Sequence, residues 1–138
     1  MRTIIAGSRG ITEYRELQRA LVACGWRPTV VLSGTARGVD KLGEQWASAN
    51  AVPCELYPAD WGAHGRRAGM LRNIRMAERA EALIALWDGV SRGTKQMIAV
   101  ARARGLRVHV HKPQPYVSPA APGFEGAYFG CEDDCAPD

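Results

Sequence analysis

Four short stretches of this chain stand out, and three of them combine glycine, hydroxyl and arginine groups in a way that suits a bound anion. They are Gly7-Ser8-Arg9-Gly10, Ser33-Gly34-Thr35-Ala36-Arg37-Gly38-Val39-Asp40, Pro58-Ala59-Asp60-Trp61 and Trp87-Asp88-Gly89-Val90-Ser91-Arg92-Gly93-Thr94. Glycine lets the backbone approach a phosphate closely, and a helix N-terminus offers N–H groups with no partner inside the helix. A guanidinium forks onto phosphate oxygens. In the first stretch Gly7, Ser8 and Arg9 supply a tight turn, a hydroxyl and a positive charge. In the second, Gly34 and Gly38 bracket a loop whose amides, with Ser33, Thr35 and Ala36, are expected to form an anion nest. Arg37 adds charge there. The spacing differs from the G-x-x-x-x-G-K-[ST] pattern of a P-loop. Asp40 has two readings, a bond to a ribose hydroxyl or a favourable charge in a helix's first turn. In the fourth, Gly89, Ser91, Gly93 and Thr94 again join a strand to a helix, with Asp88 beside them. Thr94 suits capping and phosphate contact alike.

Other residues carry chemistry with an equal structural alternative. Trp61 and Trp87 stand next to these loops and suit either stacking on a base or sugar or packing into the core, since tryptophan is usually well buried. Arg72 and Asn73 project from a helix whose other face is apolar, so a solvated helix face is the plain reading. His64, His109 and His111 show no metal-ligand spacing, and His109 and His111 share one face of a strand. Cys24 and Cys54 sit in apolar contexts as small core residues. Cys131 and Cys135 are two thiols, too few for a tetrahedral zinc site. No metal and no cofactor is expected.

The elements that must position these groups are legible as alternating patterns. Short apolar runs at 3–6, 29–32, 54–57 and 82–87, with Val108 and Val110, predict five strands. Helical spacing predicts helices from about Glu13, capped by Thr12, to Gly25 with Leu17, Leu21 and Val22 inward; from Val39 to Asn50; from Arg67 to Ala80 with Met70, Ile74 and Ala77 inward; and from Thr94 to Arg104. Residues 58–65 read as a loop. Strands alternating with helices of this length predict an α/β fold, a three-layer Rossmann-like parallel sheet of about five strands with helices on both faces. Ligands of such sheets bind outside the carboxyl ends of the strands. All four stretches fall there.

The chain has 138 residues, one domain by size. The prediction is a domain over 1–112 and a largely irregular tail over 113–138, rich in proline and glycine. The tail carries no Lys or Arg but has Glu125, Glu132, Asp133, Asp134 and Asp138, leaving the first 112 residues with 18 basic and nine acidic groups, a net of +9. A basic folded part favours anionic partners such as phosphates or nucleic acid. The tail's charge suits shielding that basic face in cis, and its aromatics Tyr116, Phe124, Tyr128 and Phe129 suit docking. No apolar run approaches the roughly 20 residues a membrane span requires, and the N-terminus is unlike a signal peptide. A cytoplasmic protein without a membrane partner is expected.

Taken in order, GSRG at 7–10, SGTARGVD at 33–40, PADW at 58–61, AG-x-x-RN-x-x-M at 68–76 and WDGVSRGT at 87–94 resemble the YspA, cpYpsA-related group of the SLOG superfamily over about residues 2–112. The resemblance implies a Rossmann-type fold that binds nucleotides or nucleotide-derived ligands, an association with bacterial and phage conflict systems, and a homodimer or higher homo-oligomer. Relatives include the Lonely Guy phosphoribohydrolases and DNA-processing protein A. The former carry PGG-x-GT-x-x-E, which supplies a catalytic glutamate, and R-K-x-x-M, which supplies a catalytic arginine. Arg72, Asn73 and Met76 resemble the second motif; Gly93 and Thr94 resemble part of the first. The glutamate position falls on Met97, which cannot take part in acid–base work. Arg72 with an aspartate on the rim, Asp60 first and Asp88 or Asp40 otherwise, is the remaining catalytic set.

Three expectations follow. The first is binding of a nucleotide or nucleotide-derived small molecule, for sensing or sequestration, through phosphate-cradling loops. The second is N-glycosidic phosphoribohydrolase activity on nucleoside monophosphates. The third is nucleic-acid binding, for which the interleaved aromatics of single-strand binders are lacking.

Overall fold

The computed structural model of the chain describes residues 1–113. The expectations for the tail, including Cys131, Cys135 and the acidic run, lie outside the described residues. Five strands form one parallel sheet: β1 (Arg2–Gly7), β2 (Val30–Ser33), β3 (Cys54–Leu56), β4 (Ala82–Leu86) and β5 (Arg107–His111), in the order β3-β2-β1-β4-β5. The order reverses between β1 and β4, where Thr3 pairs with Ala82 and Gly7 with Leu86. β1 and β4 are central strands, and their apolar runs are buried on both faces, as a covered parallel sheet requires.

Helices α1 (Tyr14–Cys24) and α2 (Val39–Ala49) cover one face; α4 (Ala68–Arg79) and α5 (Arg92–Ala103) cover the other. The first face packs Ile5, Ile84 and Leu86 against Leu17, Ala20, Leu42 and Trp46. The second packs Ile4, Leu83 and Ala85 against Met76, Ala77, Met97, Ile98 and Ala101. Alternate residues of β1 and β4 therefore serve opposite cores, which locks their register, since a one-residue slip would exchange the two sets.

Several local expectations change. α1 begins after Glu13, which caps it without a side-chain hydrogen bond, and Thr12 is exposed. Its inward face is Leu17, Ala20 and Cys24; Val22 lies on the opposite side and is 86% exposed. α4 buries Ala68, Asn73, Met76 and Ala77, while Ile74 is half-buried and Met70 is exposed. Met70 lies on the wall of a hollow at the strand ends. The stretch 58–65 contains a short helix, α3 (Trp61–His64), followed by a 3-10 turn, Gly65–Arg67. Four residues are too few to show a helical period. The Asp60 carboxylate starts α3 by accepting from the Ala63 amide at 3.0 Å.

Candidate functional site

The carboxyl ends of the strands surround a hollow of about 380 Å³. One wall is Gly7, the last residue of β1, and Arg9 just after it. A second is Arg92, Gly93, Thr94, Gln96 and Met97, at the start of α5. A third is Arg66, Arg67, Gly69, Met70, Arg72 and Asn73, at and before α4, and Ala36, Asp40 and Trp61 complete it. The hollow thus opens between the ends of β1 and β4, at the topological switch point where open α/β sheets bind ligands. A smaller hollow of about 250 Å³ adjoins it, lined by Gly34, Thr35, Arg37, Pro58 and Ala59 and sharing Arg9, Ala36, Trp61 and Arg72 with the first.

Arg72 holds a fixed place between the two. Its Nη1 donates to the Gly34 carbonyl oxygen, and its Nε donates to Asn73 Oδ1 at 2.9 Å. Burial lowers its pKa from the ordinary arginine value; the nearby Asp40 charge works against that shift and Arg9 adds to it. The guanidinium keeps its charge regardless.

Among the described residues Asp40 is the one carboxylate on the wall of the main hollow. It is only 5% exposed, and burial pushes its pKa up from 3.8 to about 6. The Ala36 amide, 3.1 Å from Oδ2, and the charge of Arg72 hold it lower than burial alone would; Glu44 pushes it up. Asp40 thus closes the 33–40 loop onto the first turn of α2, a contact that neither reading of it from the sequence included.

Two of the loop amides expected in the anion nest are engaged within the loop itself. The Thr35 amide donates to Ser33 Oγ at 3.1 Å and the Ala36 amide to Asp40. Ser33 is fully buried and its hydroxyl donates to Glu44 Oε2 at 2.6 Å. These three groups are satisfied by the protein itself, and the loop adds the Arg37 side chain to the smaller hollow. Thr35 adopts φ +64°, a left-handed conformation uncommon for a residue with a Cβ, and is held there by that bond to Ser33. Gly38, at φ +74°, lets the loop pass over the chain after β1: a Cβ there would lie 2.6 Å from the carbonyl oxygens of both Ser8 and Arg9.

A second set of expected site residues forms a latch instead. Ser8 is fully buried; its Oγ accepts from the Asp88 amide at 3.2 Å and pairs with Ser91 Oγ at 2.8 Å. Asp88 Oδ1 accepts from the amides of Val90 and Ser91, each at 2.7 Å. Trp87 is half-buried against the core, and its indole N–H donates to the Ser91 carbonyl at 3.0 Å. Lys112 lies over the Trp87 ring and next to Gly89. Ser8, Trp87, Asp88, Gly89 and Ser91 do not line either rim hollow; they tie the loop after β4 to the end of β1. Asp60 is likewise absent from both walls. It caps α3 and borders a separate hollow with His64, Arg75 and Arg79.

The structure therefore brings Gly7, Arg9, Gly34, Thr35, Ala36, Arg37, Asp40, Trp61, Arg72, Asn73, Gly93 and Thr94 around the two adjoining hollows. Sequence reading passed over Arg66, Arg67, Arg92 and Gln96. Two adjacent arginines at 66–67 and an arginine in the SRGT stretch were the available signals. Among the described residues, Arg9, Arg37, Arg66, Arg67 and Arg92 make no ion pair.

Fold and rim together define a Rossmann-like α/β protein with an arginine-lined cup at its switch point. The chain belongs to the YspA, cpYpsA-related SLOG family, whose model matches residues 1–64. It is 40% identical over 86 residues to the Gene 61 protein of Mycobacterium phage D29, a match covering 57% of this chain and 68% of that protein. Family membership carries a nucleotide- or nucleic-acid-related binding role at the level of the family. Among solved structures the fold is similar to that of DNA processing protein A (DprA) from Streptococcus pneumoniae, with a TM-score of 0.64 and 14% identity. That likeness covers 99% of this chain but spans only 58% of the DprA chain. Among the described residues no helix is long and apolar enough to cross a membrane.

Proposed function

We propose that this protein binds a nucleotide or nucleotide-derived small molecule in the strand-end cup, as a sensor or sequestering protein. One observation carries the reading: Arg9, Arg66, Arg67, Arg72 and Arg92 converge on one hollow whose wall, among the described residues, holds a single carboxylate. Like charges brought together repel, and a bound anion offsets that repulsion. Guanidinium forks are matched to phosphoryl oxygens. Trp61, 55% exposed at the mouth, offers an open ring to a base or sugar. The test is thermal and chemical denaturation of the full chain with a panel of nucleoside mono- and diphosphates. A ligand held at 100 times its Kd adds about 2.7 kcal/mol of stability. Absence of any stabilisation across the panel at millimolar concentration rejects the proposal.

A second reading, hydrolysis of the N-glycosidic bond of a nucleoside monophosphate, is favoured by one observation. Asp40, with a pKa of about 6 and Arg72 in its field, has the protonation range of a general acid or base. Asp40, not Asp60, is the aspartate on the wall. Chromatographic detection of free base after incubation separates the two readings. A labelled oligonucleotide whose binding weakens steeply with salt would instead point to nucleic acid.

A further inference from the structure

The number and placement of the arginines say more than that an anion binds. The main hollow and its smaller neighbour share one wall, formed by Arg9, Ala36, Trp61 and Arg72. Each also has arginines of its own: Arg66, Arg67 and Arg92 on the large side, Arg37 on the small side. Arg72 is pinned in the shared wall by the Gly34 carbonyl and Asn73, so it is not free to swing wholly into either hollow. Arg9 depresses the pKa of Arg72, so the two charges feel each other across that wall.

One phosphoryl group has three free oxygens and a charge of at most about −2, which two or three guanidinium forks satisfy. Six arginines distributed over two compartments exceed that. Among the described residues Asp40 is the one carboxylate beside them, and such an excess of positive charge is costly unless anions occupy both sides.

Resting on the nucleotide reading above, we propose that the cup is specific for ligands with two linked phosphoryl groups, a diphosphate or a pyrophosphate ester. One phosphoryl group sits in the small hollow between Arg37 and the shared wall. The other sits on the large side of that wall. The methionines lining the large hollow, Met70, Met76 and Met97, then face the uncharged part of the ligand.

The experiment is calorimetric titration of the full-length chain with inorganic phosphate and with inorganic pyrophosphate, at fixed pH and ionic strength. Pyrophosphate is expected to bind at least about tenfold more tightly, a difference of about 1.4 kcal/mol. Arg37→Gln is expected to bring that ratio down to about twofold. Arg102→Gln removes the same charge from the last turn of α5, outside both walls, and is expected to preserve the ratio. Equal affinities for the two anions in the unaltered protein would overturn the proposal. So would an Arg37→Gln ratio that matches Arg102→Gln, because the preference would then reflect net charge alone. Failure of both anions to bind overturns it as well. If nucleoside monophosphates still stabilise the protein while the two-phosphoryl preference is absent, the nucleotide reading survives and only this inference falls.

Discussion

The Arg72 guanidinium donates to the carbonyl oxygen of Gly34, joining the start of α4 to the loop after β2 across 38 positions of sequence. The same side chain forms the wall common to both hollows. A single residue thus braces the cup and charges it, and the two roles are separable by measurement. Arg72→Gln removes the charge and the donor that Gly34 uses. It is expected to lower stability by about 1–3 kcal/mol, the usual penalty for leaving a buried carbonyl without its partner, and to weaken an anionic nucleotide by about tenfold or more. An unchanged urea midpoint would mean that the tether is idle.

Asp40 makes stability depend on pH in a defined direction. Its folded pKa, about 6, is raised above the ordinary 3.8 by burial. A raised carboxyl binds its proton more tightly in the folded state. Its contribution is therefore fully present below about pH 4 and is lost as pH rises through 6. The ionised form costs up to about 3 kcal/mol at neutral pH. Asp40→Asn, which keeps an acceptor for the Ala36 amide, should match the unaltered protein at pH 4 and exceed it in stability at pH 7. Urea titrations at pH 4, 5, 6 and 7 check this; a difference that does not vary with pH would show Asp40 to be ordinary in solution.

Ser8 distinguishes scaffold from ligand contact. Its hydroxyl bonds the Asp88 amide and Ser91 Oγ in the buried latch. Ser8→Ala should cost about 1–3 kcal/mol by stranding those groups. Nucleotide affinity measured where the variant is fully folded should change less than about twofold, since Ser8 lines neither hollow. A large affinity loss with intact stability would return Ser8 to the site.

Gly38 and Gly105 form a matched pair. Both have positive φ, +74° and +76°. A Cβ on Gly105 meets nothing within 4 Å, whereas one on Gly38 strikes the carbonyl oxygens of Ser8 and Arg9 at 2.6 Å. Gly105→Ala should cost about 1 kcal/mol from backbone strain alone. Gly38→Ala should cost distinctly more, roughly 2–4 kcal/mol, and should also displace Arg9 and weaken anion binding. Equal midpoints for the two variants would show that the loop yields without cost.

The nearly correct reading of the fold from the sequence has a local cause. The apolar runs of β1 and β4 and the helical spacing of α2 and α5 are properties of adjacent residues, and each matches the structure to within one or two positions. The exceptions also have local causes. α3 is too short to show a period, and Met70 lines the strand-end hollow, with 42% of its surface exposed, in place of a core position.

The sequence by itself determined that a parallel sheet would form and that its glycine- and arginine-bearing loops would gather at the strand carboxyl ends. Alternating apolar strands and amphipathic helices permit little else, because successive parallel strands must be joined by right-handed crossovers. Only the tertiary structure decided which groups on that rim face the hollow. Ser8 finds Ser91 83 positions away, and Ser33 spends its hydroxyl on Glu44. Arg66, Arg67 and Arg92 come together from separate segments, and Asp40 acquires its pKa from burial. Hydrogen-bond pairing, burial and charge proximity depend on distances between residues far apart in the chain, which local spacing does not encode.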